Sequence, residues 1–321
     1  MNLLKVFITV DTEAWPLAAT PQKLVAADYE RDYYGVTPQG DFGALFQAEV
    51  LRNNGLRGVF FVETLSTYIS GIEPLRPLVQ ELRGRGHEVG LHTHAEWCRR
   101  DPSLIGPSSG DLMRHYSEER QATLIAKALQ PLHACGVADV RSFRAGGYGA
   151  NLDTLKALAR NNIRFDSSYN YCWLGQTCGI ETDAPLLQPK VLEDIHEYPV
   201  TFFRDWPGHF RHAEICACSS AELEHMLLGA YRRKWHALVI VSHSFECIHR
   251  DPLKPRPNRL VVRRFERLCE FLARNPDKFV TATFHDEGLR RMPAMNGSQP
   301  IEGRLRYTFF RGVEQAWKRI A

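Results

Sequence analysis

The chain has 321 residues, of which 44% are hydrophobic and 24% charged, so it is long enough to bury one large core. Its 40 basic and 37 acidic side chains leave a net charge of +3, which is too balanced to indicate a nucleic-acid partner. No apolar run approaches the roughly 18 residues that span a bilayer, so no transmembrane helix is expected.

Strands and helices are predicted to alternate along most of the chain. The first strand, residues 6–10, is an apolar, β-branched run of the kind that is buried on both faces. An irregular segment follows, and then a helix for which Asp41 is the expected N-cap. The later elements are strands over residues 58–62, 87–91, 142–145, 163–166, 237–241 and 280–284, and helices over residues 74–85, 117–135, 151–161, 219–233 and 259–274.

This alternation predicts a parallel sheet or a closed α/β barrel with roughly seven strand–helix units. No internal repeat and no low-complexity segment interrupts it. We therefore expect one barrel domain over residues 1–290 and a C-terminal helical appendage over residues 291–321.

Two carboxylates end the first strand. Asp11 and Glu13 leave the same face, because side chains alternate along a strand. Adjacent carboxylates repel each other unless a cation lies between them or one is protonated. The C-terminal ends of strands are also where α/β sheets and barrels form their sites. We interpret the pair as part of a functional site rather than as a solvated loop.

Polar side chains recur at the ends of later strands, and in a parallel barrel these ends share one rim. His92 and His94 face the same way, while His92 and Glu96 would lie one turn apart if the chain begins to coil. Together with a carboxylate from the first strand they make a catalytic metal site, with zinc as the first candidate and iron, cobalt or nickel as others. The remaining strand-end groups are Arg144, Asp166, His243 and His285.

Six motifs occur in a specific order. They are TVDTE at 9–13, GVFFV at 58–62, GHEVGLHTHAEW at 86–97, SFRAGGYG at 142–149, FDSS at 165–168 and VSHSFE at 241–246. In this order they resemble the polysaccharide deacetylase family, the NodB-homology carbohydrate esterases, and most of all the branch associated with surface-polysaccharide and O-antigen gene products. The resemblance covers most of residues 3–286 and implies an α/β fold, a deformed (β/α)7 barrel.

The resemblance also implies a metal-dependent hydrolase that removes an N-acetyl or other N-acyl group from a sugar of a surface polysaccharide or its precursor. It implies Asp11 as general base, Arg144 as the partner that keeps Asp11 ionised, and His243 as general acid. Asp166 is expected to orient His243 or to tune its pKa. His285, which also ends a predicted strand, is the rival of His243 for the role of general acid. The candidate ligands of one divalent metal are Glu13, His92, His94 and Glu96.

Three positions depart from the family pattern. Thr12 stands where a second aspartate is usual, which moves the metal role to Glu13. Glu96 stands at the second histidine of the usual HxxxH motif, so the third ligand is either Glu96 or His94. Gly146 replaces the expected proline. With these departures a metal-poor or inactive protein is also compatible with the sequence.

Two further functions are compatible with these motifs. One is that of a deformylase or other amidase acting on a lipid- or nucleotide-linked amino sugar, and the second is that of a non-catalytic carbohydrate-binding barrel with a degenerate site. The basic, aromatic tail over residues 304–318 could lie on a membrane surface or pack as a helix on the barrel. Acidic residues follow the first strand too early for a signal peptide, and eight cysteines are scattered, so we expect a cytoplasmic protein with reduced thiols.

Overall fold

The computed structural model describes residues 3–17, 24–251, 253–287 and 299–320, except for the side chains of residues 316–320. In this part of the chain nine strands form one main sheet. In chain order they are β1 (Leu4–Thr12), β2 (Val59–Glu63), β3 (Glu88–Thr93), β4 (Ser142–Ala145), β5 (Phe165–Asp166), β6 (Lys190–Leu192), β7 (Ile195–Glu197), β8 (Ala237–His243) and β9 (Phe279–Thr281).

The strand order is β8-β1-β2-β3-β4-β5-β7-β6, and β9 also pairs with β1. β1 pairs in parallel with β8 from Lys5 to Asp11. Its other edge is shared, because β9 pairs with its first residues and β2 with its last. Within the described sheet the pair β6–β7 is antiparallel and the other pairs are parallel. All of β1 except Lys5 is buried, as its apolar sequence predicted.

Residues 213–215 close the side of the barrel between β7 and β8. Val241 N donates to Ala213 O at 2.8 Å, and Ile215 N donates to Val241 O at 3.0 Å. These bonds lay the segment along β8 and carry Glu214 toward the C-terminal end of that strand. The sheet is thus curled into a barrel that is completed by an irregular segment.

Longer helices follow the strands in the predicted order. Ser219 caps its helix as predicted, because its Oγ accepts from Glu222 N and its own N–H donates to the Glu222 carboxylate. In the described part of the chain the longer helices are α1 (Ala44–Asn53), α2 (Leu75–Gly84), α3 (Glu118–Ala134), α4 (Leu152–Arg160), α5 (Ser220–Arg232), α6 (Arg259–Ala273) and α7 (Leu305–Ile320).

The start of α1 differs from the prediction. Asp41 lies in a short strand, Gly40–Asp41, and Gly43 occupies the cap of α1. Gly43 N donates to Tyr34 O at 2.8 Å, and a side chain at this position would collide with the Tyr33 and Tyr34 backbone. The close approach of the preceding loop therefore determines where the helix begins.

Short elements complete the described chain. One-turn α-helices lie at Ala26–Tyr29, Thr67–Ser70 and Trp97–Arg100, a π-helical turn at Glu30–Tyr34, and 3₁₀ turns at Met113–His115, Gly146–Tyr148, Tyr171–Trp173 and Phe284–Asp286. The paired strands outside the main sheet are Phe202–Trp206 with His209–His212 and Ile301–Glu302, Ile248–His249 with Arg256–Pro257, and Val36–Thr37 with Gly40–Asp41.

The C-terminal helix α7 packs on the barrel. Arg311 is buried, and its guanidinium lies 2.9 Å from Asp205 Oδ2 and 2.6 Å from Glu222 Oε1. The predicted boundary at residue 290 falls outside the described residues, so the division into 1–290 and 291–321 stays a prediction. The side chains at the end of the basic tail, residues 316–318, also lie outside them. Among the helices that are described, none has the length and apolar character needed to cross a membrane.

Candidate active site

The strand register brings predicted site residues together at one rim. Asp11 on β1 is paired with His243 on β8, and His92 on β3 is paired with Arg144 on β4. Because the strands are parallel, these residues all lie at C-terminal strand ends, where barrels of this type form their sites. Glu13 follows the end of β1 and is only 6% exposed. The rim therefore combines acidic, basic and imidazole groups in a buried setting.

Three ligand atoms face one another at this rim. His94 Nε2 lies 2.5 Å from Glu13 Oε2 and 3.1 Å from His92 Nε2. His92 Nε2 lies 3.5 Å from Glu13 Oε2. A tetrahedral zinc ion with bonds of about 2.0–2.1 Å holds its ligand atoms about 3.3 Å apart. The distances of 3.1 and 3.5 Å are close to that spacing, and the distance of 2.5 Å between His94 and Glu13 is shorter, as in a close charge pair. The three ligand atoms are near enough to one another to hold one divalent metal.

The hydrogen bonding of His92 supports a ligand role. Its Nδ1 lies 2.8 Å from the backbone oxygen of Arg144, which can only accept, so Nδ1 carries the proton. Nε2 then presents a lone pair to Glu13 and His94. Glu13 Oε2 is buried, and despite its short contact with His94 it has no hydrogen bond of acceptable geometry. A cation between these atoms would give each of them a partner.

The charges of Glu13 and His94 stabilise each other. Burial alone would raise the pKa of Glu13, but the charge of His94 and the contacts with both histidines hold that pKa well below its usual value. Burial opposes the charge on His94 as well, yet Glu13 and Glu96 raise the pKa of His94 to about 10. A metal must therefore displace a proton from His94, and its binding should tighten as the pH rises.

Glu96, the fourth candidate ligand, lies apart from the group formed by Glu13, His92 and His94. Its Oε2 lies 3.7 Å from His94 Nδ1, whereas the other ring nitrogen of His94 faces Glu13. The chain enters the short helix Trp97–Arg100 directly after Glu96, which directs the carboxylate behind the His94 ring. The structure thus brings the ligand atoms of Glu13, His92 and His94 together, and the choice of the third ligand stays a prediction. Glu96 can instead orient the imidazole.

Gly146 makes room for His94. A Cβ at position 146 would clash with the His94 imidazole, and a proline there would carry that atom. On another side Trp15 packs its ring against His94 with 4.8 Å between centroids, and Trp15 is itself stacked on Trp97 at 5.4 Å. The His94 ring can therefore occupy its position only because residue 146 is a glycine and not the expected proline.

The expected pair of Asp11 and Arg144 is present and buried. Arg144 Nη1 donates to Asp11 Oδ1 at 2.7 Å, and no part of the Arg144 side chain is exposed. The guanidinium also donates to Thr9 Oγ1 at 2.8 Å and to Ser167 O and Oγ, each at 2.9 Å. These bonds fix the guanidinium and, through it, Asp11. The second oxygen, Asp11 Oδ2, lies 3.9 Å from His243 Nε2.

His243 is held by two glutamates to which the sequence motifs assigned no role. Its Nδ1 lies 2.7 Å from Glu246 Oε1 and 3.6 Å from Glu214 Oε1. Burial would lower the pKa of His243, but Glu246 and the charge of Asp11 raise it to about 10. His243 therefore carries both ring protons at neutral pH, with Nε2 on the side of Asp11.

The ligand atoms of Glu214, His243 and Glu246 are also close enough together to hold a cation. Hydrogen bonds already join these groups, because His243 Nδ1 is bound to Glu246 and His212 Nε2 lies 3.1 Å from Glu214 Oε2. Glu246 had a signal in the sequence, since it ends the VSHSFE motif three residues after His243. Glu214 had none, because it comes from the irregular segment against β8.

Asp166 does not lie beside His243. It is fully buried, accepts from Ser168 Oγ at 2.7 Å, and is paired with Glu197 on β7. Burial raises the pKa of Asp166, and burial and the charge of Asp166 raise the pKa of Glu197 well above its usual value. Because Glu246 occupies the position at His243 Nδ1, the predicted orienting role of Asp166 does not fit the structure.

His285, the rival candidate for general acid, lies toward the opposite end of the barrel. β9 stops at Thr281, before its predicted end, and pairs with the first residues of β1. His285 N donates to Glu88 Oε2 at 3.0 Å, at the start of β3. His285 is therefore remote from the rim that carries Asp11.

Comparison with known proteins gives a structural match. No family sequence model matches the chain, and no curated protein sequence matches it. A provisionally assigned polysaccharide deacetylase from Mycobacterium smegmatis superposes with a TM-score of 0.52 at 17% identity over 88% of each chain. A family 4 carbohydrate esterase from Streptomyces lividans, solved with acetate, gives a TM-score of 0.44 at 12% identity over 94% of this chain and 98% of that one.

A family 4 pseudoenzyme from Bacillus anthracis gives a TM-score of 0.43 at 11% identity, over 87% of this chain and 63% of that one. The Mycobacterium smegmatis match, with its higher score, shows the fold, and its low identity extends to nothing more. The chain thus has the deformed (β/α)7 barrel of the polysaccharide deacetylases, as its motifs predicted.

Proposed function

We propose that this protein is a metal-dependent carbohydrate deacetylase, a hydrolase that removes an N-acetyl or other N-acyl group from a sugar of a surface polysaccharide or its precursor. The observation that carries the proposal is the meeting of the ligand atoms of Glu13, His92 and His94 on the rim that also holds Asp11 and His243. The shared fold supports the same class, since the Mycobacterium smegmatis structure is provisionally assigned to polysaccharide deacetylation.

The ligand set supplies two imidazole nitrogens and one carboxylate oxygen. Zinc takes such a set in catalytic sites, and iron, cobalt and nickel accept the same donors. A metal bound there polarises the amide carbonyl of the substrate and lowers the pKa of a water. We propose zinc as the metal, with Glu96 behind His94 keeping its ring in position.

Asp11 is the proposed general base. As the water oxygen forms its bond to the amide carbon, Asp11 accepts the proton that the water loses. Arg144 binds Oδ1, so Oδ2 is the oxygen available to the water. The guanidinium of Arg144 is held by hydrogen bonds to buried partners. Asp11, which it binds, therefore needs no reorganisation before the step.

His243 is the proposed general acid. When the C–N bond breaks, His243 Nε2 gives its proton to the leaving nitrogen, and the products are the amine and the carboxylate. Glu246 binds the opposite ring nitrogen, so Nε2 remains directed toward Asp11. With its pKa raised to about 10, His243 carries the required proton at neutral pH.

The test combines two measurements on the full chain: divalent metal content by mass spectrometry and acetate release from N-acetylglucosamine oligomers. We expect one tightly held metal per chain in the parent. It should be lost, together with acetate release, in Glu13→Ala, His92→Ala and His94→Ala. Glu96→Ala is the matched variant that should keep the metal, because that carboxylate lies behind the His94 ring.

Two results would change the proposal. A parent that takes up no zinc, cobalt or iron on soaking but is retained on a glycan column would indicate a carbohydrate-binding protein without activity. Release of formate in place of acetate from a formylated amino sugar would keep the site and change the acyl group.

A further inference from the structure

A cavity of about 700 Å³ opens at the N-terminus of α6. Three arginines line it: Arg256 from the short strand Arg256–Pro257, and Arg259 and Arg263 from the first turns of α6. Arg259 and Arg263 are four residues apart, so they lie on one face of the helix. A cavity of this volume is in the range that small-molecule sites occupy.

The charge of this cavity is unbalanced. Arg256, Arg259 and Arg263 make no ion pair and no hydrogen bond with the side chains that the structure describes. Glu314, the single carboxylate among the described residues lining the cavity, is bound by Arg264 Nη2 at 2.6 Å. The positive end of the α6 dipole adds to the arginines. Guanidinium groups and a helix N-terminus together favour phosphate as a ligand.

Asn258 links the wall of the cavity to the loop that carries Glu246. It lines the cavity, is only 5% exposed, and its Oδ1 is buried without a hydrogen-bond partner. Its Nδ2 donates to Glu246 O at 3.1 Å. Oδ1 lies beneath the cavity surface, so Asn258 contributes a polar wall and its Nδ2 bond, and the arginines supply the groups that can reach a ligand. Through Glu246, the same asparagine connects the cavity with His243.

An apolar surface borders the cavity on the side of α7. Val313 lines the cavity, and Phe309, one helical turn earlier, is 69% exposed. Phe310 beside it is 61% exposed. A ligand whose phosphate is attached to an apolar chain could therefore place that chain along α7.

We propose that this cavity binds the phosphate or diphosphate of an activated sugar whose N-acyl group is hydrolysed at the neighbouring rim. The inference rests on the proposed function for its second half, the hydrolysis. The binding of the phosphate depends only on Arg256, Arg259 and Arg263 at the N-terminus of α6. The phosphate can be carried by a nucleotide or by a lipid.

Calorimetric titration of the full chain with inorganic pyrophosphate tests the binding. We expect affinity to fall about tenfold in Arg259→Ser and in Arg263→Ser. Arg267→Ser is the matched control, since this exposed arginine lies on α6 but does not line the cavity. Equal affinity in the parent and in Arg259→Ser would overturn the proposal.

Two further probes identify the carrier. Phosphatidylcholine vesicles with and without phosphatidic acid represent a lipid phosphate, and UDP-N-acetylglucosamine represents a nucleotide diphosphate. Vesicle binding that requires phosphatidic acid and falls in both Arg259→Ser and Phe309→Ser would support a lipid carrier. Binding of the nucleotide sugar that falls in Arg259→Ser alone would support a soluble one. Binding of neither probe would overturn the proposal.

Failure of the hydrolase proposal can be distinguished from failure of this one. If pyrophosphate binds through Arg259 but no substrate releases acetate, the cavity stands and the deacetylase proposal falls. If di-N-acetylchitobiose is hydrolysed and pyrophosphate does not bind, the reverse holds. If both stand, the KM for the phosphate-bearing sugar should rise about tenfold in Arg259→Ser with kcat unchanged.

Discussion

Two buried carboxylates at opposite ends of β1 differ in how their oxygens are satisfied. Near the start of the strand, Glu287 accepts from Lys5 Nζ at 2.6 Å and, through its other oxygen, from the Tyr198 hydroxyl at 2.9 Å. Beyond its end, Glu13 Oε2 faces two imidazole nitrogens without a well-formed hydrogen bond. One carboxylate is satisfied by the chain's own donors and stabilises the fold. The other has no such donor and is the carboxylate that we propose as a metal ligand.

Glu13→Gln removes the carboxylate at the rim end of β1, and of the substitutions considered it should have the largest effect on activity. The amide keeps the volume and can hydrogen-bond with the rings of His92 and His94, so the protein should remain folded. Metal should be lost, and because a metal supplies several kcal/mol of transition-state stabilisation, kcat/KM should fall about 10³-fold. Metal content, circular dichroism and acetate release measure these effects. A folded variant with near-parent turnover would contradict the assignment.

Gly146→Ala should weaken metal binding at the same rim through a change in packing alone. The added methyl group would displace the His94 imidazole, and we expect metal affinity to fall about 10–100-fold, as for other changes that misorient a ligand. Metal competition with a chelator measures the affinity. Gly84→Ala is the control, because a Cβ at that helical position meets open space. Equal loss of metal in both variants would rule out the steric explanation.

Glu246→Gln should change the pH dependence of activity. Glu246 raises the pKa of His243 to about 10, and the general acid works only while it is protonated. Without the Glu246 charge that pKa should fall by about one to two units, so the alkaline limb of kcat/KM should move to lower pH. Glu214→Gln, with its longer contact of 3.6 Å, should shift the limb less. An unchanged limb in Glu246→Gln would argue against His243 as the acid.

Glu287→Gln should have the smallest effect and should act on stability instead of activity. Burial would raise the pKa of Glu287, but His236, Lys5 and Tyr198 lower it from 4.5 to about 2. The stabilisation is therefore present above about pH 4.5 and is lost as the pH falls toward 2. Urea unfolding should show a loss of about 1–3 kcal/mol at neutral pH.

The same measurement at pH 2 should give no difference between Glu287→Gln and the parent. Asp277→Asn is the control, because its contact with Lys278 is at the exposed surface and the unfolding midpoint should not change. Loss of acetate release from folded Glu287→Gln protein would contradict the division between the two ends of β1.

Local sequence patterns were enough to predict the strands that build the site. β1 and β8 are apolar runs that end in polar groups, and parallel pairing alone brings Asp11 to His243. The occurrence of several motifs in the family's order was the basis for predicting the barrel fold. These features depend on residues that are close together in the sequence, or on the rule that the C-terminal ends of parallel strands lie at one rim. They can therefore be predicted from sequence.

The errors have a different origin. The environment of His243 depends on Glu214, which reaches it from an irregular segment that pairs with β8 through tertiary contacts. The direction of the Asp166 side chain depends on the pairing of β5 with β7. A strand of two residues is too short for its sequence pattern to indicate that direction. Sequence spacing likewise left Glu96 and His94 equivalent, and the space beside Gly146 distinguishes them.

The space at Gly146 has a consequence for moving this site into another barrel of the same fold. Introducing a histidine at the position of His94 would fail wherever the facing residue carries a Cβ, because the imidazole needs that volume. Restoring a side chain at Gly146 while keeping His94 would fail for the same reason. The glycine and the histidine must therefore be transferred together, because the histidine fits only where the glycine is already present.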